Sequence, residues 1–178
     1  MPPADLGTHY LAESIDGLRS LKTLAEGAIA QLADEELFAQ LDSESNSIAI
    51  IMRHISGNLR SRWRDFLTSD GEKPDRDRDG EFEPPPTATR TALLDEWENG
   101  WRCAFDALAA LQPADLLHTV TIRGEPQSAV RAIERQTRHN AYHVGQIVLL
   151  AKHARGPAWR SLSIPRGQSR TFRPSARA

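Results

Sequence analysis

The segment RHNAYHVGQIVLLAKHARG, residues 138–156, predicts a long amphipathic helix. Its apolar residues recur at three- and four-residue steps, and Gly156 followed by Pro157 ends the pattern. Two histidines, His139 and His143, lie one helical turn apart, which places their Cβ atoms about 5–6 Å from each other. Two imidazoles at this spacing can bind one metal ion, but they can equally be two polar residues at the edge of a core.

Three other segments carry the same periodicity, so the sequence predicts four long helices, at about 8–32, 45–67, 89–111 and 128–155. A short helical piece is expected at 33–42. Alternation across 118–122 predicts one short strand, which could belong to a small hairpin. Ser43 or Ser45 is the expected cap of the second long helix. Four amphipathic helices of this length predict an all-α four-helix bundle, in a single domain covering 1–178.

Two segments are predicted to be irregular. Residues 68–89 combine charge, Gly and three consecutive prolines, which favours a long surface connection of the crossover type. Within it, DRDRDG at 75–80 fits the opening of a calcium-binding EF-hand loop. Pro86 stands at the twelfth position, where such a loop needs a bidentate Glu. We therefore interpret this stretch as a solvated loop of alternating charge.

The residues after the last helix are expected to form an irregular tail, about 156–178, that lies across the body and frays at its end. From Arg155 onward there are six arginines and no acidic residues. The stretch SLSIPRGQS at 161–169 could fold over the mouth of a metal site, with Arg166 meeting an anionic substrate. It could instead strap the helices together, which we consider the better interpretation.

Composition indicates an ordinary soluble chain, with 39% hydrophobic and 26% charged residues and a net charge of −2. This charge provides no global field that would recruit nucleic acid or an anionic membrane. The last arginines have only Phe172 interleaved with them, so nucleic-acid binding is not expected. The only cysteine, Cys103, excludes an intramolecular disulfide and suits a reducing cytosol. Without a signal-like start or an apolar run of about 18–20 residues, we predict a cytoplasmic protein and no membrane span.

A third histidine, His54 on the second long helix, matches the pair on the fourth. Helical residues advance about 100° each, so His54 lies near −100° when that helix is centred on Ile55. With the fourth helix centred on Asn140, His143 and His139 lie at about −60° and −100°. Each histidine therefore lies at the edge of the apolar face of its helix. In a bundle, two such edges can face each other across a groove. Three neutral imidazoles and one or two waters are a normal ligand set for Zn²⁺, Ni²⁺ or Fe²⁺.

Polar neighbours on the same faces could support these histidines. Asn58 and Gln146 could each orient an imidazole or a bound water, or could be ordinary polar bundle residues. Tyr142 is expected to point away and pack. Gly145 could permit the close approach of a neighbouring helix, or it could merely weaken its own helix. Cys103 is expected to be a small core residue rather than a ligand or nucleophile. The tryptophans expected in the core are Trp63, Trp97 and Trp101.

The motifs IMRHISGN (51–58), RHNAYHVGQI (138–147) and WRSLSIPRGQS (159–169) resemble the DinB-like family of metal-binding four-helix bundles. The likeness is greatest to a branch of uncharacterised bacterial proteins with the same Ser-Ile-Pro-Arg-Gly tail. It implies that His54, His139 and His143 bind a divalent metal. Members with known roles include transferases and isomerases that use a thiol cofactor, so the resemblance also implies a small-molecule thiol partner.

Three functional hypotheses follow. The first is a metal-dependent transferase that uses a thiol nucleophile. The second is a non-catalytic protein in which the ion pins the second helix to the fourth, and the third is a metal-free dimerisation scaffold. A homodimer is expected in each case, because bundles with exposed apolar stripes often pair.

Overall fold

The structure, a computed structural model, describes residues 5–83, 89–171 and 173. Most of this part of the chain is helical, in agreement with the predicted all-α class. An antiparallel hairpin and short 3₁₀ turns at Gly80–Phe82, Pro113–Leu117 and Gly156–Ala158 join the helices. In chain order, the helices and strands are α1 (Leu6–Ile29), α2 (Asp34–Phe38), α3 (Ile48–Trp63), α4 (Arg90–Ala110), β1 (Thr119–Ile122), β2 (Glu125–Ser128) and α5 (Ala129–Arg155).

The four long helices begin at side chains that accept hydrogen bonds from free backbone N–H groups of the first turn: Asp5, Ser47, Thr89 and Ser128. The predicted cap of the second long helix, Ser43 or Ser45, is wrong, because Ser47 occupies that position. This helix also ends at Trp63 instead of residue 67. The chain becomes extended after it, and Asp65 adopts a positive φ of 49° that no helix can continue.

The core lies between the long helices, where α3 packs closely along α4 and α1 packs along α5. Trp97 and Trp101 are fully buried there, as predicted, and Trp63 is nearly so. A Cβ atom at Gly100 would lie 2.8 Å from the Cα atom of Ser56, so this glycine permits the approach of α4 to α3. Gly145 does not have such a role, because a Cβ there would meet no atom of the described residues within 4 Å.

The connection after α3 is only in part the solvated loop that its composition predicts, because within 75–80 the three aspartates are exposed but the Arg76 side chain is buried. It turns back along α3, so that Lys73 and Glu81 are buried and the Arg76 side chain is only 4% exposed. Gly71 donates its N–H to the carbonyl of Thr121 at 2.8 Å, which ties this connection to β1. The three prolines at 84–86 lie outside the described residues.

The beginning of the tail contacts α1. The backbone N–H and carbonyl groups of Arg160 both bond the side chain of Gln31, at 2.8 and 3.0 Å. Leu162 packs against Gly27. These contacts favour a tail that straps the helices together over one that folds across the mouth of the metal site. Arg166 is exposed. Phe172 and Arg177, at the predicted frayed end, lie outside the described residues.

Within the described residues, no helix combines the length and the apolar character that crossing a bilayer requires.

Asp70 holds the connection after α3 against the turn between β1 and β2. Its carboxylate accepts the N–H groups of Glu72, Arg123 and Gly124 at 2.7–2.8 Å. Arg123 and Gly124 both have positive φ, as a type I′ turn requires. Burial alone would raise the pKa of Asp70, but the backbone hydrogen bonds outweigh it and lower the pKa from 3.8 to about 2.

Replacing Asp70 with Ala should lower the free energy of unfolding by about 1–3 kcal/mol at pH 7, because three backbone N–H groups lose a charged acceptor. The folded-state pKa is depressed, so this contribution is present above about pH 4 and is lost as the pH falls toward 2. Urea denaturation, followed by circular dichroism, should show that the difference in free energy of unfolding between the variant and wild type becomes smaller from pH 7 to pH 3. Asp95→Ala, an exposed carboxylate on α4, is the control. An equal loss in both variants would contradict this role of Asp70.

Candidate metal centre

Three histidines from two helices converge, as the helical positions predict. His54 on α3 is 5% exposed, and His139 and His143 on α5 are half-buried. One ring nitrogen from each lies within 4.8 Å of the other two. The Nε2 atoms of His54 and His139 are 3.1 Å apart. The cluster could hold a metal ion, and the described part of the chain contains no other group of three or more His, Cys, Asp or Glu residues that could.

The hydrogen bonds of the rings fit a metal-binding role. His54 Nδ1 lies 2.9 Å from Glu81 Oε2, and His143 Nδ1 lies 2.8 Å from Gln146 Oε1. Both partners are acceptors, so each ring donates from Nδ1 and keeps the Nε2 lone pair free for an ion. Nitrogen ligands around a tetrahedral zinc ion are about 3.3 Å apart. The separation between His54 and His139 is close to this value.

Glu81 was not predicted as part of the site. It reaches His54 from the 3₁₀ turn after α3, and Arg76 holds its carboxylate through two bonds of 2.8 Å. The approach depends on Gly57, because a Cβ atom there would lie 2.1 Å from Glu81 Oε1. A glycine in the middle of a helix, one turn from a candidate ligand, is the sequence signal that could have indicated this contact.

The electrostatics of the cluster keep two of its imidazoles neutral. Burial, followed by the neighbouring charges of His143 and His54, lowers the pKa of His139 to about 4. Burial also lowers the pKa of His143. Burial would raise the pKa of Glu81, but its bonds to His54 and Arg76 lower it overall. At neutral pH, His139 and His143 are therefore unprotonated, which is the state that metal binding needs, and the Glu81 carboxylate is ionised.

A buried amide network lies on the core side of the cluster. Gln136 accepts from Trp63 Nε1 at 3.2 Å and donates to Asn58 and Asn140 at 3.1 and 2.8 Å. Asn58 therefore bonds Gln136 rather than one of the histidines. Gln146 does contact an imidazole, that of His143. The network joins α3 to α5 and fixes the two helices that carry the cluster.

Other predicted neighbours have different positions. Tyr142 is 64% exposed, so the prediction that it packs is wrong, and its ring lies 4.9 Å from the ring of His143. Phe82, which was not predicted, places its ring 4.7 Å from that of His54. Cys103 is half-buried on α4 and is not a member of the histidine cluster.

A cavity of about 200 Å³ opens beside the cluster, with His54 and His139 in its wall. A small molecule in this cavity would therefore meet an ion held by the three rings.

The fold and this site define a class: a mostly helical protein with a three-histidine cluster that could hold a metal ion. The chain belongs to the family described as "Protein of unknown function (DUF1572)", whose model matches residues 5–168. No curated protein and no solved structure matches the chain significantly.

Proposed function

We propose that the protein binds one divalent metal ion, Zn²⁺, Ni²⁺ or Fe²⁺, through His54, His139 and His143. The observation that carries this proposal is the convergence of three imidazole nitrogens within 4.8 Å, drawn from two helices. Three protein ligands leave at least one position for water or substrate, as in catalytic rather than structural zinc sites. The two ligand nitrogens that lie farthest apart would approach each other by up to roughly 1.5 Å around a tetrahedral ion.

We further propose that the four long helices form a DinB-like four-helix bundle in one domain. The resemblance of the three motifs supports this proposal, as does the pairing of α3 with α4 and of α1 with α5. In such a bundle, α3 and α5 are the helices that present ligands to a common ion.

The proposed activity is a transfer reaction in which a small-molecule thiol is the nucleophile. A divalent cation lowers the pKa of a bound thiol and supplies a thiolate at neutral pH. The residues of this chain hold and orient the ion, and Glu81 keeps the proton of His54 on Nδ1. The thiol itself is proposed from the family resemblance, and the cavity beside His54 and His139 supports access for a small molecule.

The alternative is a non-catalytic role in which the ion, or the bundle alone, serves stability or dimerisation. The buried bonds between His54, Glu81 and Arg76 favour a structural contribution from this region. Tyr142 and Leu149 are exposed on α5 and are candidates for a homodimer contact. The homodimer and the cytoplasmic location stay predictions.

Metal analysis of protein purified without a histidine tag tests the binding. We expect close to one divalent ion per chain, and a metal-free preparation that takes up neither zinc nor nickel would refute the proposal. The cobalt-substituted protein tests the reaction class, because cysteine or glutathione bound through sulfur gives a thiolate-to-cobalt charge-transfer band. If cobalt binds but no thiol produces this band, the thiol chemistry fails and the metal site stands.

A further inference from the structure

The cavity beside the histidine cluster has a strongly basic wall. Among the residues that the structure describes, five arginines line it and no Asp or Glu does. Trp63, Phe66 and Ile122 form an apolar part of the same wall. The arginines come from α3, from the connection after it, from the hairpin turn and from α5: Arg62, Arg76, Arg78, Arg123 and Arg135.

Carboxylates behind the wall neutralise only part of this charge. Glu72 forms ion pairs with three of the arginines, and Glu81 pairs with one of the same three. The other two, Arg78 and Arg135, have no comparable partner. Arg78 has a 3.9 Å contact with a fully exposed Asp79, and Arg135 forms no ion pair with any described residue.

The unpaired charge is close to the cluster. Arg135 lies one turn before His139 on α5, so the two side chains point to the same side of that helix. Arg135 and Arg62 line the same cavity. Burial, and to a smaller extent the positive charges of Arg76 and Arg135, lower the pKa of Arg62. An anion in this cavity would pair with the unpaired Arg135 and relieve its repulsion with Arg62.

We propose that this cavity binds the anionic group, a carboxylate or a phosphate, of a small organic substrate. Arg135 and Arg78 supply the free guanidinium donors, which suit planar or tetrahedral oxyanions. The apolar part of the substrate packs against Trp63 and Phe66. This arrangement places the rest of the molecule at His54 and His139, and this last step rests on the proposed metal site.

Phenyl phosphate and benzoate are suitable probes, because each joins an aromatic ring to one of the two oxyanions, and phenol is the neutral control. Calorimetry at low ionic strength on the full chain, treated with chelator and folded by circular dichroism, should show binding of one or both anions and none of phenol. The tighter of the two identifies the anionic group. Added salt should weaken the binding, since the contacts are charged.

Arg135→Gln should weaken the binding of the anion by about tenfold, because one charged hydrogen-bonding group is lost. Arg131→Gln, exposed one turn earlier on α5 and outside this cavity, should change it less than twofold. Equal weakening in both variants, or anions that bind wild type no better than phenol, would overturn the proposal. The protein is metal-free in this test, so the anion result can be interpreted even if the protein proves not to bind metal. If the protein binds metal but no anion, only the proposal of an anion site is overturned.

Discussion

Replacing His143 with Ala should remove the metal ion and leave the fold unchanged. Loss of a group that only supports a ligand already lowers metal affinity 10–100-fold, so loss of a ligand should cost more than about a hundredfold. His143 is half-buried, and the hydrogen bond of its Nδ1 goes to Gln146 on the same helix, so its removal breaks no hydrogen bond between helices among the described residues. Metal content after dialysis should fall from about one ion per chain to almost none.

The melting temperature provides a second measurement of the same change. Zinc at about 100 times its dissociation constant should stabilise wild type by about 2.7 kcal/mol, or roughly 5–10 °C for a chain of this size. The His143→Ala variant should show no such rise, and without metal it should melt close to metal-free wild type. His153→Ala is the matched control, because His153 is exposed on the same helix and distant from the cluster in sequence. Retained zinc in His143→Ala would show that the ring is not a ligand.

The sequence predicted the three histidines because a helix fixes the direction of each side chain. Positions on α3 and α5 follow from a rotation of about 100° per residue, and the apolar stripe of each helix shows which side meets the core. His54, His139 and His143 lie at matching positions, at the edge of the apolar stripe of their helix. The convergence of the rings therefore required that α3 and α5 lie side by side with the histidines at the same level along their axes.

The same reasoning could not place the supporting residues. A helical position gives the direction of Asn58, but its partner, Gln136, depends on how α3 and α5 are aligned along their axes. Glu81 lies in a charged stretch whose composition favours solvent exposure. Its burial follows from bonds to Arg76 and His54 that form only when the loop closes on Gly57. Irregular segments lack the periodicity that carries such information.

Replacing Glu81 with Ala should weaken metal binding 10–100-fold and also destabilise the metal-free protein. The first effect follows because His54 loses the acceptor that orients its ring and fixes its tautomer. The second follows because the Arg76 guanidinium, only 4% exposed, loses two bonds of 2.8 Å. Removing one partner of a buried ion pair costs about 3–5 kcal/mol. Arg76 keeps Glu72 at 3.3 Å, so we expect about 3 kcal/mol.

Zinc titration calorimetry and urea denaturation of the metal-free protein measure the two effects separately. Glu83→Ala, an exposed carboxylate two residues later in the same loop, should change neither. Glu81→Gln keeps the size of the side chain and an acceptor oxygen for His54, but removes the charge that Arg76 and the ion both need. It should therefore recover part of the stability and little of the affinity. A Glu81→Ala variant that loses stability but binds zinc within threefold of wild type would show that Glu81 serves only to close the loop, and that the imidazole of His54 needs no carboxylate to act as a ligand.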